Sequence, residues 1–340
     1  MQLTRLPEER NLAIVLNKNA KSVTRSTQRL IQRLHPEADV FISESAEHGT
    51  EIAHKIVDMG YQTVATGGGD GTFVQCLSDV YNYCESKPGT CEPPRFFVLK
   101  LGTGNAIASA FGASAPTRVG LRRDLERARR SAFSRPLPVL SVEGKLSPFA
   151  GCGLDAHVQA DYYASRAMLL KSPFKALAMG GPGYAISVGS RTLPRYLLKK
   201  KQEIVVRNIG GPAYRIRHRG RLLERVETGD EIYRGVITIA TASTIPYTGL
   251  NMRLFPYARM RDDKFQFRVS DASAMETLFA LPRIWKGTYE SPTIEDFLAD
   301  RIEIRSADGR QLPLQIGGDL AGTRDCIEIA LSDAQVAMAA

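Results

Sequence analysis

The sequence contains no Cys-x-x-Cys pair, and its five cysteines (Cys76, Cys84, Cys91, Cys152 and Cys326) are odd in number. That argues against a disulfide framework and against a cysteine-built zinc site, and it favours reduced thiols. There is no run of about 18 apolar residues, so no segment has the length of a spanning helix. Met1 to Arg10 is polar, holds a proline and lacks the apolar stretch of a secretory leader, which makes the cytoplasm the expected location. No Gly-Lys-Ser/Thr follows the glycine run at Gly67 to Thr72, so a Walker-type ATPase is excluded. That run is not a Gly-x-Gly-x-x-Gly fingerprint either. Tryptophan occurs once, at Trp285, and a packed core aromatic is its expected role in preference to an interfacial anchor.

What is present is ordinary in bulk and informative in detail. At 340 residues, two domains are expected, and 43% hydrophobic with 24% charged residues describes a globular protein. A formal charge of +9 calls for an anionic partner: nucleic acid, an anionic membrane or a polyanionic substrate. The basic residues crowd two stretches, Arg118 to Arg135 and Arg191 to Lys201. A solvated helix face is the plain reading of each and is favoured for the first; with no interleaved aromatics or recognisable motif there, nucleic acid is not expected as the partner.

Strand and helix patterns alternate through the first 110 or so residues. Leu12–Leu16, Asp39–Ile42, Thr63–Thr66 and Arg95–Lys100 read as strands, and Thr24–Leu34, Gly49–Met59 and Phe73–Tyr83 as helices. Repeated βα alternation predicts a Rossmann-like parallel sheet covered on both faces, with ligands at the carboxyl ends of its strands. From about Val139 the texture becomes short alternating segments: Glu203–Asn208, Ala213–His218, Gly235–Ala242, Phe265–Ser270, Arg301–Arg305 and Asp325–Leu331. They predict an antiparallel β-sandwich. A helical insertion at about 161–201, apolar with basic edges, is either ordinary packing or a lid that touches lipid. The expected domains are 1–137, 138–320 and a C-terminal strand and tail, 321–340, packing back near the first.

Gly67-Gly68-Gly69-Asp70-Gly71-Thr72 follows the third strand and opens a helix. Glycines there admit positive φ and close backbone approach, and the helix offers free N–H groups to phosphate. A carboxylate in such a loop repels phosphate unless it binds a metal or takes a proton from an attacking hydroxyl; as a plain N-cap it needs no ligand. A second loop, Leu101-Gly102-Thr103-Gly104-Asn105, follows the fourth strand, and Asn17 follows the first.

Together with Gly151-Cys152-Gly153-Leu154-Asp155-Ala156, these motifs resemble the diacylglycerol kinase catalytic superfamily, which includes bacterial lipid kinases, ceramide kinases and sphingosine kinases. The Gly-Gly-Asp-Gly-Thr element alone is shared with NAD kinases and phosphofructokinases. The resemblance implies an NAD kinase/diacylglycerol kinase-like α/β domain and transfer of a phosphoryl group from ATP, with Mg²⁺, to a lipid alcohol. It further implies that Asn17, Thr66, Gly68, Gly69, Gly71, Thr72, Gly102, Thr103 and Asn105 line the nucleotide. Asp70 would receive or orient the acceptor hydroxyl proton; Gly153, Asp155 and His157 would face the acceptor; Asp319 would act in catalysis and hold the metal. The partners implied are a lipid alcohol and the anionic inner surface of a membrane, with a homodimer left open.

Ala106, Pro138 and Gly317 stand where the family commonly carries aspartate. These departures keep two rivals open: a non-catalytic nucleotide or lipid binder, and a soluble NAD or sugar kinase. On the sequence alone, Asp70→Asn is expected to silence turnover and leave folding intact.

Overall fold

The computed structural model describes residues 11–89, 91–130, 133–154, 201–217 and 220–340, with isolated positions between 156 and 190. The helical insertion expected at about 161–201, apart from isolated positions, and the candidate residues Asp155 and His157 lie outside the described residues. The chain divides into two units, Met1–Leu137 with Ala334–Ala340, and Pro138–Asp333.

In the first unit, aliphatic runs form strands β1 (Leu12–Asn17), β2 (Asp39–Ser43), β3 (Thr63–Gly68) and β4 (Arg95–Lys100). The helices are α1 (Arg25–Leu34), α2 (Ala46–Asp58), α3 (Asp70–Glu85), α4 (Ala106–Ala110) and α5 (Arg118–Arg130), followed by strand β5 (Ser134–Leu137). Thr24 caps α1 by accepting the Thr27 amide at 3.2 Å. Ser45 caps α2 by accepting from His48 at 3.2 Å, which starts that helix before the expected Gly49.

The sheet order is β2-β1-β3-β4, parallel throughout, continued by Val336–Ala339 (β20) and then β5. β20 runs parallel to β4 and antiparallel to β5. Ile31 of α1 and Leu121, Leu125 and Ala128 of α5 bury one face of this sheet, against Ile14, Leu16, Leu99 and Leu101. Each fully buried Leu or Ile there contributes about 1.5–3 kcal/mol. On α3, Phe73 meets Phe96 of β4 edge to face with centroids 5.8 Å apart.

The second unit holds β6 (Leu140–Val142), β7 (Lys145–Ser147), β8 (Phe149–Gly153), β9 (Gln202–Asn208), β10 (Ala213–Arg217), β11 (Leu222–Val226), β12 (Glu231–Ile237) and β13 (Ile239–Ser243). After β14 (Phe265–Ser270) come helix α6 (Ala274–Lys286), β15 (Ile294–Ala299), β16 (Arg301–Ser306), β17 (Leu312–Ile316), β18 (Asp319–Arg324) and β19 (Cys326–Leu331). They build two antiparallel sheets of a β-sandwich-like fold, ordered β11-β10-β15-β14-β13-β8-β17-β18 and β12-β9-β16-β19-β6-β7.

The single strand expected at 235–242 is in fact the parts of two. β12 pairs with β9 in one sheet and β13 with β8 and β14 in the other. The chain changes sheets at buried Thr238, whose hydroxyl donates to the Ala272 carbonyl at 2.7 Å. Trp285 also departs from expectation. It is 44% exposed on α6, because Ala280 and Ile284 are the side chains that helix buries. Among the described residues, no helix is long and apolar enough to cross a membrane, and all five cysteines are free.

Candidate functional site

The strand order 2-1-3-4 puts a topological switch between β1 and β3, because the chain leaves β1 toward one edge and β3 toward the other. Ligands of open α/β sheets bind at the carboxyl end of such a switch. Three loops of the first unit meet there. Asn17 ends β1, Gly69 and Asp70 join β3 to α3, and Leu101 to Asn105 join β4 to α4.

Their contacts explain the glycines. A Cβ on Gly102 would stand 2.3 Å from the Gly69 Cα and 2.7 Å from the Gly68 carbonyl oxygen. A Cβ on Gly68 would stand 2.3 Å from the Thr72 Oγ1. The two glycine loops are therefore packed backbone to backbone, and no larger residue fits the contact. At Gly69 itself the nearest atom to a Cβ is 3.9 Å away, so that position has room.

The polar side chains tie the same loops together. The Asn17 amide donates to the Thr72 hydroxyl at 3.0 Å and its carbonyl accepts the Asn19 amide at 2.9 Å. Asn105 sits in the left-handed region at φ 52°, a conformation asparagine tolerates. There its side chain accepts from the Gly102 amide at 3.0 Å and donates to the Gly102 carbonyl at 2.9 Å.

Asp70 is buried at 8% exposure. One carboxylate oxygen accepts the Ala106 amide and the other accepts the Ile107 amide, both at 2.9 Å. The carboxylate thus fills the role of a cap at the start of α4, across the cradle from its own helix. The expectation that Asp70→Asn leaves folding untouched is accordingly corrected, since the carboxylate joins α3 to α4.

The other candidates in this unit fall into two groups. Thr66 is buried within the sheet, and its hydroxyl donates to the Phe97 carbonyl at 3.4 Å, turned into the sheet. Gly69 and Thr103 on the loops, and Gly71 and Thr72 in the first turn of α3, are partly exposed. The N-cap of α3, Gly69, gives that helix no side-chain cap; the Thr72 amide donates back to the Gly69 carbonyl at 3.1 Å, and the Gly71 amide stands at the positive end of the helix, where an anion is favoured. Beside this edge, Lys18 donates to Glu44 at 2.6 Å and holds that exposed carboxyl below its ordinary range.

In the second unit, Gly153 closes β8 at φ 113°. Gly317 and Gly318, at φ 61° and 88°, form the two-residue turn between β17 and β18, and Ile316 pairs with Asp319 across it. Positive φ at both turn positions selects glycine, asparagine or aspartate, which gives Gly317 a local reason. Asp319 is exposed at the first position of β18.

Three or more His, Cys, Asp or Glu side chains come together nowhere among the described residues. In the first unit's cradle, the carboxylate on the loops already holds two backbone amides. This donor set does not fit a divalent-cation cage built by the protein.

Sequence reasoning found the loops but missed the Asp70 cap on α4. Its available signal was Ala106: a small apolar residue after Asn105 leaves a helix start without an acid of its own.

Comparison with known proteins now bears on this geometry. Residues 12–133 match the model of the diacylglycerol kinase catalytic domain. That match covers the first unit, which is similar to the catalytic domain of diacylglycerol kinases. The fold extends further. A diacylglycerol kinase structure from Bacillus anthracis str. Sterne aligns with a TM-score of 0.64 at 13% identity, covering 97% of this chain and 96% of that one. A second structure from that organism, a candidate diacylglycerol kinase, aligns at 0.62 and 14%, covering 97% of each chain. No curated protein sequence matches the chain.

Proposed function

We propose that this protein is an ATP-dependent lipid kinase that transfers the γ-phosphoryl group to the hydroxyl of a lipid alcohol such as diacylglycerol, ceramide or a sphingoid base. The observation that carries the reading is the convergence of three loops at the β1/β3 switch, with an uncapped α3 start and a buried carboxylate between them.

In this reading the Gly71 amide at the start of α3 and the Thr103 hydroxyl bind phosphate oxygens. Asn17 and Asn105 act by fixing the loops, through Thr72 and Gly102. Packing at Gly68 and Gly102 keeps the cradle shallow enough for the polyphosphate to reach the Gly71 amide. Asp70, fixed in place by the Ala106 and Ile107 amides, orients the acceptor hydroxyl and receives its proton. Positioning and charge neutralisation supply most of the rate, since phosphoryl transfer asks little covalent work of a protein. Gly153, Asp155 and His157 are proposed for the acceptor side, and Asp319 for catalysis and the metal. The described residues build no cage for Mg²⁺, and a cation accompanying the nucleotide would be carried by the phosphates.

The test is incubation with labelled ATP and Mg²⁺ against diacylglycerol, ceramide, a sphingoid base and an unfractionated lipid extract. A phosphorylated lipid that disappears with Asp70→Asn supports the proposal, with a rate loss on the order of 10²–10⁴-fold. Nucleotide binding without transfer to any lipid supports the second reading, a non-catalytic binder. That reading is favoured by Ala106 and Gly317 in place of acids and by the prior engagement of both Asp70 oxygens.

A further inference from the structure

Helices α1 and α5 lie together over one face of the parallel sheet, sharing the core of Ile31, Leu121, Leu125 and Ala128. Their outer sides are predominantly basic. On α1, Arg25, Arg29 and Arg33 recur at four-residue spacing, all exposed, and the helix has no acidic residue. On α5, Arg118, Arg122, Arg123 and Arg130 are exposed, and Glu126 is that helix's only exposed acid. Asp124 is buried and accepts the Ser114 amide and hydroxyl at 2.8 Å.

Two neighbouring arginines show what a structural role looks like here. Arg127 donates to the Phe111 and Gly112 carbonyls and lies over the Phe97 ring, and Arg129 pairs with Glu37 at 3.3 Å. The seven exposed arginines have no ion-pair partner among the described residues. Packing therefore does not explain them, and their mutual repulsion opposes folding until an anion neutralises it.

An apolar side chain stands within the same field: Val119, between the arginines of α5, is 72% exposed. Nucleic acid gains little from a valine among arginines. A lipid interface uses both kinds of group: guanidinium forks reach headgroup phosphates while apolar tips enter the acyl boundary.

We infer that the α1–α5 face docks on an anionic lipid bilayer. The inference reaches beyond the nucleotide cradle; the lipid-kinase reading gives it a purpose, while the charges and the apolar tip carry it.

The full-length protein is to be sedimented with vesicles of phosphatidylcholine alone and of phosphatidylcholine mixed with phosphatidylglycerol, at low and high salt, without ATP or lipid alcohol. Binding is expected only to the anionic vesicles and is reversed by salt. The triple variant Arg25→Gln, Arg29→Gln, Arg33→Gln is expected to bind about a hundredfold more weakly, at roughly fivefold per arginine, while melting no earlier than wild type. Val119→Ser is expected to weaken binding several-fold while keeping its salt dependence. Equal binding to neutral vesicles, a triple variant that binds like wild type, or binding to duplex nucleic acid in place of vesicles overturns the proposal. Vesicle binding is read without turnover, so this result stands apart from whether the chain proves to be a kinase.

Discussion

Replacing Asp70 by asparagine separates two roles that one carboxylate fills. Asparagine keeps one acceptor oxygen but places an amide N–H₂ where the second oxygen now accepts a backbone N–H at 2.9 Å. Either Ala106 or Ile107 is then left with an unpaired N–H, and Ala106 and Ile107 are fully buried. An unsatisfied buried donor costs about 1–3 kcal/mol. Loss of the negative charge at a helix start adds about 0.3–1 kcal/mol. The total is about 1–4 kcal/mol, which for a unit of this size lowers the melting temperature by roughly 4–15 °C. Circular dichroism melting of the full chain measures the loss, and turnover is then compared at a temperature where the variant is still folded. A variant that melts with wild type refutes the capping argument. One that melts early yet turns over normally removes Asp70 from the proposed chemistry and leaves it a purely architectural residue.

Gly102→Ala, whose Cβ meets backbone at 2.3 Å, is expected to destabilise by about 1–3 kcal/mol and to abolish nucleotide-dependent stabilisation. Gly69→Ala, with open space, is expected to cost no more than about 1 kcal/mol; calorimetry with and without ATP compares them. Asp296 accepts from Arg268 at 2.7 and 2.8 Å and from Gln266 at 2.7 Å, all buried. Asp296→Ala leaves that guanidinium unpaired, and urea unfolding is expected to register a loss of about 3–5 kcal/mol. In acid, Asp308 is held well below the ordinary aspartate range by its hydrogen bond from Arg310, and Glu276 is lowered by hydrogen bonds from Ser291 and Tyr289. Both folded values are depressed, so the stability they contribute is full above about pH 4.5 and falls away as the pH drops through the folded values. The double variant Asp308→Asn, Glu276→Gln is expected to show a shallower acid-unfolding slope. The Cys76 thiol, pushed up to about 12 by burial and then by Asp79, is expected to resist alkylation at pH 8 until denaturant is added, as mass spectrometry of labelled peptides can follow.

The parallel sheet was legible because its strands are continuous aliphatic runs separated by turn glycines, and the period of each segment matched its element. Boundaries were less so. Asp70 begins α3 three residues before the expected Phe73, because an acidic residue in a glycine loop reads as loop until its helix is seen. The antiparallel unit was legible in texture alone. The break at Thr238 and the short strands β6 to β8 are set by pairing partners far away in sequence, and local periodicity carries none of that. Helix α6 was hidden by Pro282, which usually argues against a helix interior. In the cradle, composition located the loops, while the side-chain bonds that hold them depend on backbone placement, as with the left-handed Asn105.

Strand β20 bears on how the chain is made. Its Met338 pairs with Phe96 of β4, so the sheet that carries the glycine loops stays unfinished until residues 138–333 have been synthesised. A nascent chain on the ribosome therefore presents β4 as a bare edge, hydrogen-bonding groups outward, for the whole time the second unit is being translated. The unit that is written first is sealed last, and a chaperone that shields edge strands has its longest window of work at Arg95–Lys100.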